Sequence, residues 1–251
     1  MWLSELNKHP KDADIEFFEG PHEYYIKEKK VDTSVTTCVH SVFPAFNSKA
    51  IAEKTHAKRY NDKNSDYYGK TVEEILEMWD KNREESARKG TELHYGIEMY
   101  YNGQEVSEDT KETKEWSFFM QWVSDSPHLK MYRTEWFVYD ADIDIAGSID
   151  AVYINEDGTL DICDWKRSKS IEYENRWETA LIPFAHLPNT NFWQYSLQLN
   201  MYKRILEKEY GQTIKSMYLV VLHENNKSYQ KHEVPVLKDE IDAIYSSRSS
   251  R

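Results

Sequence analysis

Cysteine is almost missing from this 251-residue chain: Cys38 and Cys163 are its only two, too few for a disulfide framework. Glycine and proline are scarce as well, at eight and seven, which excludes collagen-like and low-complexity classes. No run approaches the roughly 18 consecutive apolar residues of a membrane helix. The opening "MWLSELNKHPKDAD" lacks the basic and apolar regions of a signal peptide. Together these absences imply a soluble protein of a reducing, intracellular compartment, with no membrane partner. No G-x-x-x-x-G-K-[ST] phosphate loop is present, so ATP is not an expected ligand. Positive charge is also short: 32 Lys and Arg against 44 Asp and Glu leave a formal charge of −12. That balance argues against a passive DNA-coating protein, which must neutralise phosphates. It does not exclude an enzyme whose carboxylates gather around divalent cations.

Aromatic residues are plentiful, with 18 Tyr and eight Trp, and 39% of residues are hydrophobic, enough for a substantial core. In the first half, "DIEFFEGPHEYYIKEKKVD" reads as short strands with a charged hairpin tip. "TSVTTCVHSVFPAF" follows as a short helix capped by Thr33 or Ser34. "NSKAIAEKTHAKRY", "TVEEILEMWDKNREESARKGTELHYGIEMYYNG" and "KETKEWSFFMQWVSD" read as helices, the second bent near Gly90. Strands then take over in "MYRTEWFVYD", "IDIAGSIDAVYI" and "TLDICDWKRS". A polar, aromatic loop spans about 170–191, and "NFWQYSLQLNMYKRILEKEYG" is a long helix with Gly211 just past its end. "SMYLVVLH" fits a buried strand, "KHEVPVL" an edge strand because of Pro235, and "KDEIDAIYSS" a closing helix. Strand, crossover helix and strand in that order imply a mixed α/β sheet flanked by helices.

The stretch "GSIDAVYINEDGTLDICDWKRS", residues 147–168, places charges among apolar strand residues, where they are costly. Asp157-Gly158 marks a hairpin turn. Asp150 and Asp164 are equally distant from residue 157, so the hairpin sets them opposite each other, with Cβ atoms about 5 Å apart. Two such carboxylates repel unless one protonates or a cation sits between them. Strand alternation puts Lys166 on the same face as Asp164 and turns Asp161, Cys163 and Trp165 to the other. This set suits a hard divalent cation and a reacting phosphodiester. An ordinary surface hairpin with paired charges fits the hairpin alone equally well.

Asp150 followed by Asp164-Trp165-Lys166 resembles the bipartite signature of the PD-(D/E)XK nuclease superfamily, with Ile149 where the name-giving proline stands. "GTELHYGIE" (90–98) resembles the Gly-x-x-x-His helix of its RecB-like exonuclease group, "GSID" the Gly-x-x-Asp strand, and "QLNMY" (198–202) the Gln-x-x-x-Tyr helix. The four occur in the group's order. The group includes the mitochondrial genome maintenance exonuclease and nuclease domains of bacterial recombination helicases, and the aromatic, Lys- and Asn-rich style is most similar to stand-alone viral and phage versions. The resemblance implies a restriction-endonuclease-like fold with a helical N-terminal elaboration. It implies a single nuclease domain over 1–251, divided into an elaboration (1–89), a catalytic core (90–223) and a C-terminal strand and helix (224–251).

The resemblance further implies a Mg²⁺- or Mn²⁺-dependent phosphodiesterase, with one or two ions, acting on DNA ends or single strands in replication, recombination or repair. His94, Asp150, Asp164 and the carbonyl of Trp165 would bind the metal. Lys166 would orient the attacking water, and Gln198 and Tyr202 would face the hairpin. Two cysteines cannot complete the four-cysteine iron–sulfur cluster of some relatives. Glu98, one turn from His94, would bind a second ion or pair with a Lys or Arg of its helix, the latter slightly favoured; Glu135 is of second rank. Arg88, Lys89, Arg167 and Lys169 are solvated charges or phosphate clasps, and Trp177, Phe192 and Trp193 are stacking or buried aromatics. Other readings are an RNA-directed, cap-snatching-like endonuclease and a non-catalytic nucleic-acid-binding scaffold.

Overall fold

The computed structural model of the protein describes residues 2–249. Its helices are α1 (Trp2–Leu6), α2 (Val35–His40), α3 (Ser48–Arg59), α4 (Val72–Tyr101), α5 (Glu108–Lys111), α6 (Lys114–Asp125), α7 (Asn191–Glu209) and α8 (Lys238–Ser249). Its strands are β1 (Ile15–Phe18), β2 (Glu23–Ile26), β3 (Lys29–Lys30), β4 (Thr33–Ser34), β5 (Lys130–Asp140), β6 (Ile145–Ile154), β7 (Leu160–Lys166), β8 (Ile214–Val221) and β9 (Gln230–Glu233). The chain divides into two compact units, one of residues 2–44 and 93–249, the other of residues 45–92.

In the smaller unit, Asn47 caps α3 through Ala50 N–H, and Ala52 and Ile75 are buried. His56 and Trp79 hydrogen-bond Lys70 O and Tyr67 Oη. The bend expected at Gly90 is absent, for α4 is a single 30-residue helix. Glycine there costs about 1 kcal/mol relative to alanine, which the surrounding Glu, Arg, Lys and Leu residues, good helix formers, outweigh.

The larger unit is built on a mixed sheet ordered β4-β6-β7-β8-β9, with β5 also paired to β6. β5–β6, β6–β7 and β8–β9 are antiparallel, whereas β4–β6 and β7–β8 are parallel, the latter linked across α7. The architecture is therefore the mixed α/β sheet with flanking helices that the element order implied. Ser34 caps α2 through its Oγ, as its place before "VTTCVH" suggested, and β9 ends short of Pro235 as an edge strand.

Strand alternation assigns the two faces of β7 to different cores. Leu160 and Ile162 pack with Leu197, Met201 and Ile205 of α7. Cys163 and Trp165 pack with Leu93 and Ile97 of α4 and with Phe119 and Trp122 of α6. Trp165 is fully buried and meets Phe119 edge-on at 5.6 Å; truncating such a side chain costs about 3–5 kcal/mol. That packing fixes the end of β7, where the charged residues emerge. Among the described residues, no helix is long and apolar enough to cross a membrane.

Candidate metal centre and active site

The β6–β7 hairpin closes through residues 155–159, with Gly158 left-handed at φ 80° and Asp157 Oδ1 accepting from Thr159 N–H. Its register pairs Ile154 with Leu160 and Ala151 with Cys163, so Asp150 and Asp164 are the next opposed positions. The ladder stops there. Asp150 Oδ2 instead accepts the Trp165 N–H at 2.9 Å, which satisfies a donor that the parting strands leave free.

His94 projects from α4, and its Nε2–H donates to the Trp165 carbonyl at 2.9 Å. A carbonyl only accepts, so the proton is fixed on Nε2 and Nδ1 is turned to the carboxylates, 3.6 Å from Asp150 Oδ2 and 3.9 Å from Glu135 Oε1. A carbonyl that fixes the imidazole tautomer in this way is a common outer partner of metal-binding histidines. The Trp165 carbonyl, expected beside the ion, is thus engaged by His94.

Glu135 lies on β5 between Thr134, paired with Ala151, and Trp136, paired with Ile149. It therefore stands opposite Asp150. Its φ of 42° is left-handed, a strained state for a non-glycine residue in mid-strand, and Ser148 Oγ donates to its Oε2 at 2.7 Å. His94, Glu135 and Asp150 offer donor atoms that all lie within 4.8 Å of one another. Two ligands at right angles, each about 2.1 Å from a small divalent ion, sit about 3 Å apart. An ion would have to draw the donors together by at most about 2 Å, so one nitrogen and two carboxylates fit such a cation.

Electrostatics place the site under tension. Burial first, and Asp164 second, push the Asp150 carboxyl up to about 7. Burial works against the charged form of His94, yet Asp150 and Glu135 raise it to about 9. Glu135 is held below the usual carboxylate range: burial opposes this, and the hydrogen bond and charge of His94 prevail. Excess negative charge is thus shared with a protonated imidazole, a role a bound cation would take over.

Asp164 is 3% exposed and lies outside the three-residue donor group. Its Oδ2 meets Lys166 Nζ at 2.6 Å, an ion contact without aligned hydrogen-bond geometry. Burial disfavours the Lys166 ammonium, but Asp164 and Asp150 raise its pKa above the ordinary lysine value, so it stays charged. The Tyr195 ring lies 4.5 Å from that ammonium. Tyr202 is buried on the same helix, with the Gln198 amide at its hydroxyl. A Cβ at Gly147 would stand 2.8 Å from Tyr202 Oη, so the tyrosine of "QLNMY" rests on the glycine of "GSID". The structure therefore brings His94, Asp150, Asp164, Lys166, Gln198 and Tyr202 to one end of the hairpin.

Two further residues join the cluster. Glu135 stands with the leading carboxylates, and Tyr195, three residues before Gln198 and seven before Tyr202 on one face of α7, covers Lys166. Other expectations change. Among the described residues no Lys or Arg pairs with Glu98, whose pKa is raised by burial and by Glu135. Arg167 is neither solvated nor free for phosphate, because it is buried against Glu115 at 2.8 Å and also meets Glu224 at 3.0 Å. Arg88 and Lys89 pair along their helix with Glu92 and Glu85. Phe192 is buried, whereas Trp177 is 91% exposed. A second acidic group, Asp140, Asp142 and Glu209, already shares the Lys208 ammonium, 2.7–3.0 Å from all three.

No protein-family model matches the chain, and no curated protein does. Among solved structures, SSO0001 shares 15% identity at a TM-score of 0.37 over 86% of this chain and 75% of its own. A Eubacterium rectale protein provisionally named an exonuclease shares 8% identity at a TM-score of 0.40 over 65% of this chain. The chain spans 64% of that protein's length.

Proposed function

We propose that this chain is a divalent-metal-dependent nuclease of the PD-(D/E)XK superfamily, RecB-like group, hydrolysing DNA phosphodiesters at ends or in single strands. The observation that carries the reading is the convergence, at one hairpin end, of a nitrogen-and-carboxylate donor set with a buried ammonium held by Asp164. A structural scaffold gains nothing from a carboxyl raised to about 7 and a backbone strained at Glu135.

In this reading His94 Nδ1, Glu135 and Asp150 would hold Mg²⁺ or Mn²⁺, with Asp164 beside them. Mixed nitrogen and oxygen donors suit Mn²⁺ somewhat better. The ion, when bound, supplies Lewis acidity and lowers the pKa of a coordinated water. Lys166 is too basic to act as a general base. Its ammonium instead orients the attacking water by donating to it and stabilises the negative charge that builds on the phosphoryl oxygens. Asp164 keeps that ammonium in place, the Tyr195 ring limits its motion, and Gln198 offers an amide toward the phosphate. Tyr202 sets the spacing between α7 and β6 against Gly147. The biological setting would be replication, recombination or repair.

The test is to incubate the purified protein with end-labelled single- and double-stranded linear DNA, closed circular DNA and RNA, with Mg²⁺, Mn²⁺ or EDTA. The expected result is metal-dependent loss of linear DNA with circular DNA spared. Cutting of circles would make it an endonuclease, preference for RNA would redirect the substrate, and no cleavage of any substrate would overturn the reading.

A further inference from the structure

The loop between β7 and α7 carries a feature that the hydrolytic chemistry does not use. A cavity of about 370 Å³ opens where residues 172–177 meet the start of α7, lined in part by Glu174, Arg176, Trp177 and Asn191, a size suited to a small ligand. Its walls are held in place. Asn175 Nδ2 donates to Asn189 O, and Asn175 Oδ1 accepts from the N–H groups of Trp177 and Glu178. Asn191 ties Glu172 N–H and Ser170 O to the helix, and Trp193 Nε1 donates to Tyr173 O.

On this pinned loop the Trp177 side chain is 91% exposed, and Ile182 further along is 90% exposed. Holding an indole in water on a loop pinned by these bonds leaves an unused stacking surface. Beside it, Arg176 makes no ion pair among the described residues. Asn191 lines the cavity and Tyr195, one turn later on α7, covers Lys166. The four residues from Asn191 to Tyr195 rise about 6 Å along the axis, less than two nucleotides of a stacked strand at about 3.4 Å each.

We propose that Trp177 and Arg176 hold one unpaired nucleotide of the substrate strand, its base stacked on the indole and its phosphate against the guanidinium. The inference rests on the nuclease reading and specifies its substrate as single-stranded next to the reacting phosphate. Bases in a duplex have no free face to offer the indole, whereas every unpaired base does. Glu172 and Glu174, which share the cavity, repel the dense phosphates of a duplex more strongly than a single phosphate set against Arg176.

The test measures binding rather than cleavage, so it stands apart from the outcome of the nuclease assay. Fluorescence anisotropy of labelled oligothymidylate, the same strand made abasic, and a blunt duplex is recorded with the full chain in Ca²⁺ for wild type, Trp177→Ala and Trp177→Phe. The expected result is that Trp177→Ala weakens binding of the intact strand about tenfold. Trp177→Phe retains most of the affinity, and the abasic strand shows no further loss in Trp177→Ala. Wild-type affinity of Trp177→Ala for the intact strand would overturn the proposal. So would an equal loss on the duplex, or self-association in sedimentation that Trp177→Ala abolishes, which would make Trp177 a contact between copies.

Discussion

Divalent-ion affinity at the His94–Glu135–Asp150 cluster should rise steeply with pH, because the free site holds protons where an ion needs lone pairs. In the free protein His94 protonates at about 9 and Asp150 at about 7. Above about pH 9 binding displaces neither proton, and the dissociation constant is level. Between about pH 7 and 9 each ion displaces one proton from His94, so the constant falls about tenfold per pH unit. Below about pH 7 the Asp150 proton must leave too, making the change about a hundredfold per unit. From pH 6 to pH 8 the two regimes multiply to about a thousandfold, or about 4 kcal/mol. Mn²⁺ titration calorimetry in buffers of different ionisation enthalpy reads both the constant and the protons released. His94→Gln should abolish the component between about pH 7 and 9. A constant changing less than about tenfold from pH 6 to 8, or proton release unaltered in His94→Gln, would refute the assignment of these groups to the ion.

Without metal, Asp150 makes the protein less stable as pH rises. Its folded-state value, about 7, exceeds the ordinary 3.8, so the stability linked to its proton is full below about pH 4 and lost through about pH 7. Denaturant unfolding in EDTA should therefore show Asp150→Asn, which can still accept the Trp165 N–H, gaining on wild type by about 2–3 kcal/mol between pH 5 and pH 8; an equal difference at both would contradict this. Gly147→Ala should lose about 1–3 kcal/mol by driving a methyl against Tyr202 Oη, 2.8 Å from the ideal Cβ, and Tyr202→Phe in the same chain should recover part of it in thermal melts. Glu135→Gly should relieve the left-handed strain at φ 42°, raising apo-protein stability by about 1 kcal/mol while weakening Mn²⁺ at least tenfold by calorimetry. Arg167→Ala should cost about 3–5 kcal/mol in chemical denaturation, since it strands Glu115, 8% exposed, without its partner.

The carboxylate pair could be found in the sequence because a hairpin's register is set by its turn: the symmetry of residues 150 and 164 about Asp157 is the register that forms. Lys166 and the two faces of β7 followed from strand parity, and α7 from its length and apolar stripe. Glu135 was harder because its position opposite Asp150 depends on the irregularity in β5 between Met131 and Arg133 and on its own left-handed φ. No alternation in "RTEWF" displays either. Tyr195 shares a face with Gln198 and Tyr202, but periodicity marks a face without saying whether a cation lies across from it. Glu98 and Arg167 depart from the sequence expectation for one reason: the nearest charge in space, Glu135 or Glu115, lies on another element. Gly90 looked like a break because a local cost of about 1 kcal/mol is visible in sequence while the supporting helix on either side is counted only in sum.

The most direct test of the account is the rate of Mn²⁺-dependent cleavage of an end-labelled linear strand by wild type and Lys166→Ala, measured side by side at saturating metal. The account predicts cleavage by wild type, abolished by EDTA and slowed at least about a hundredfold in the variant, with Mn²⁺ still bound by both. Absence of cleavage by wild type, or equal rates in the two proteins, would contradict it.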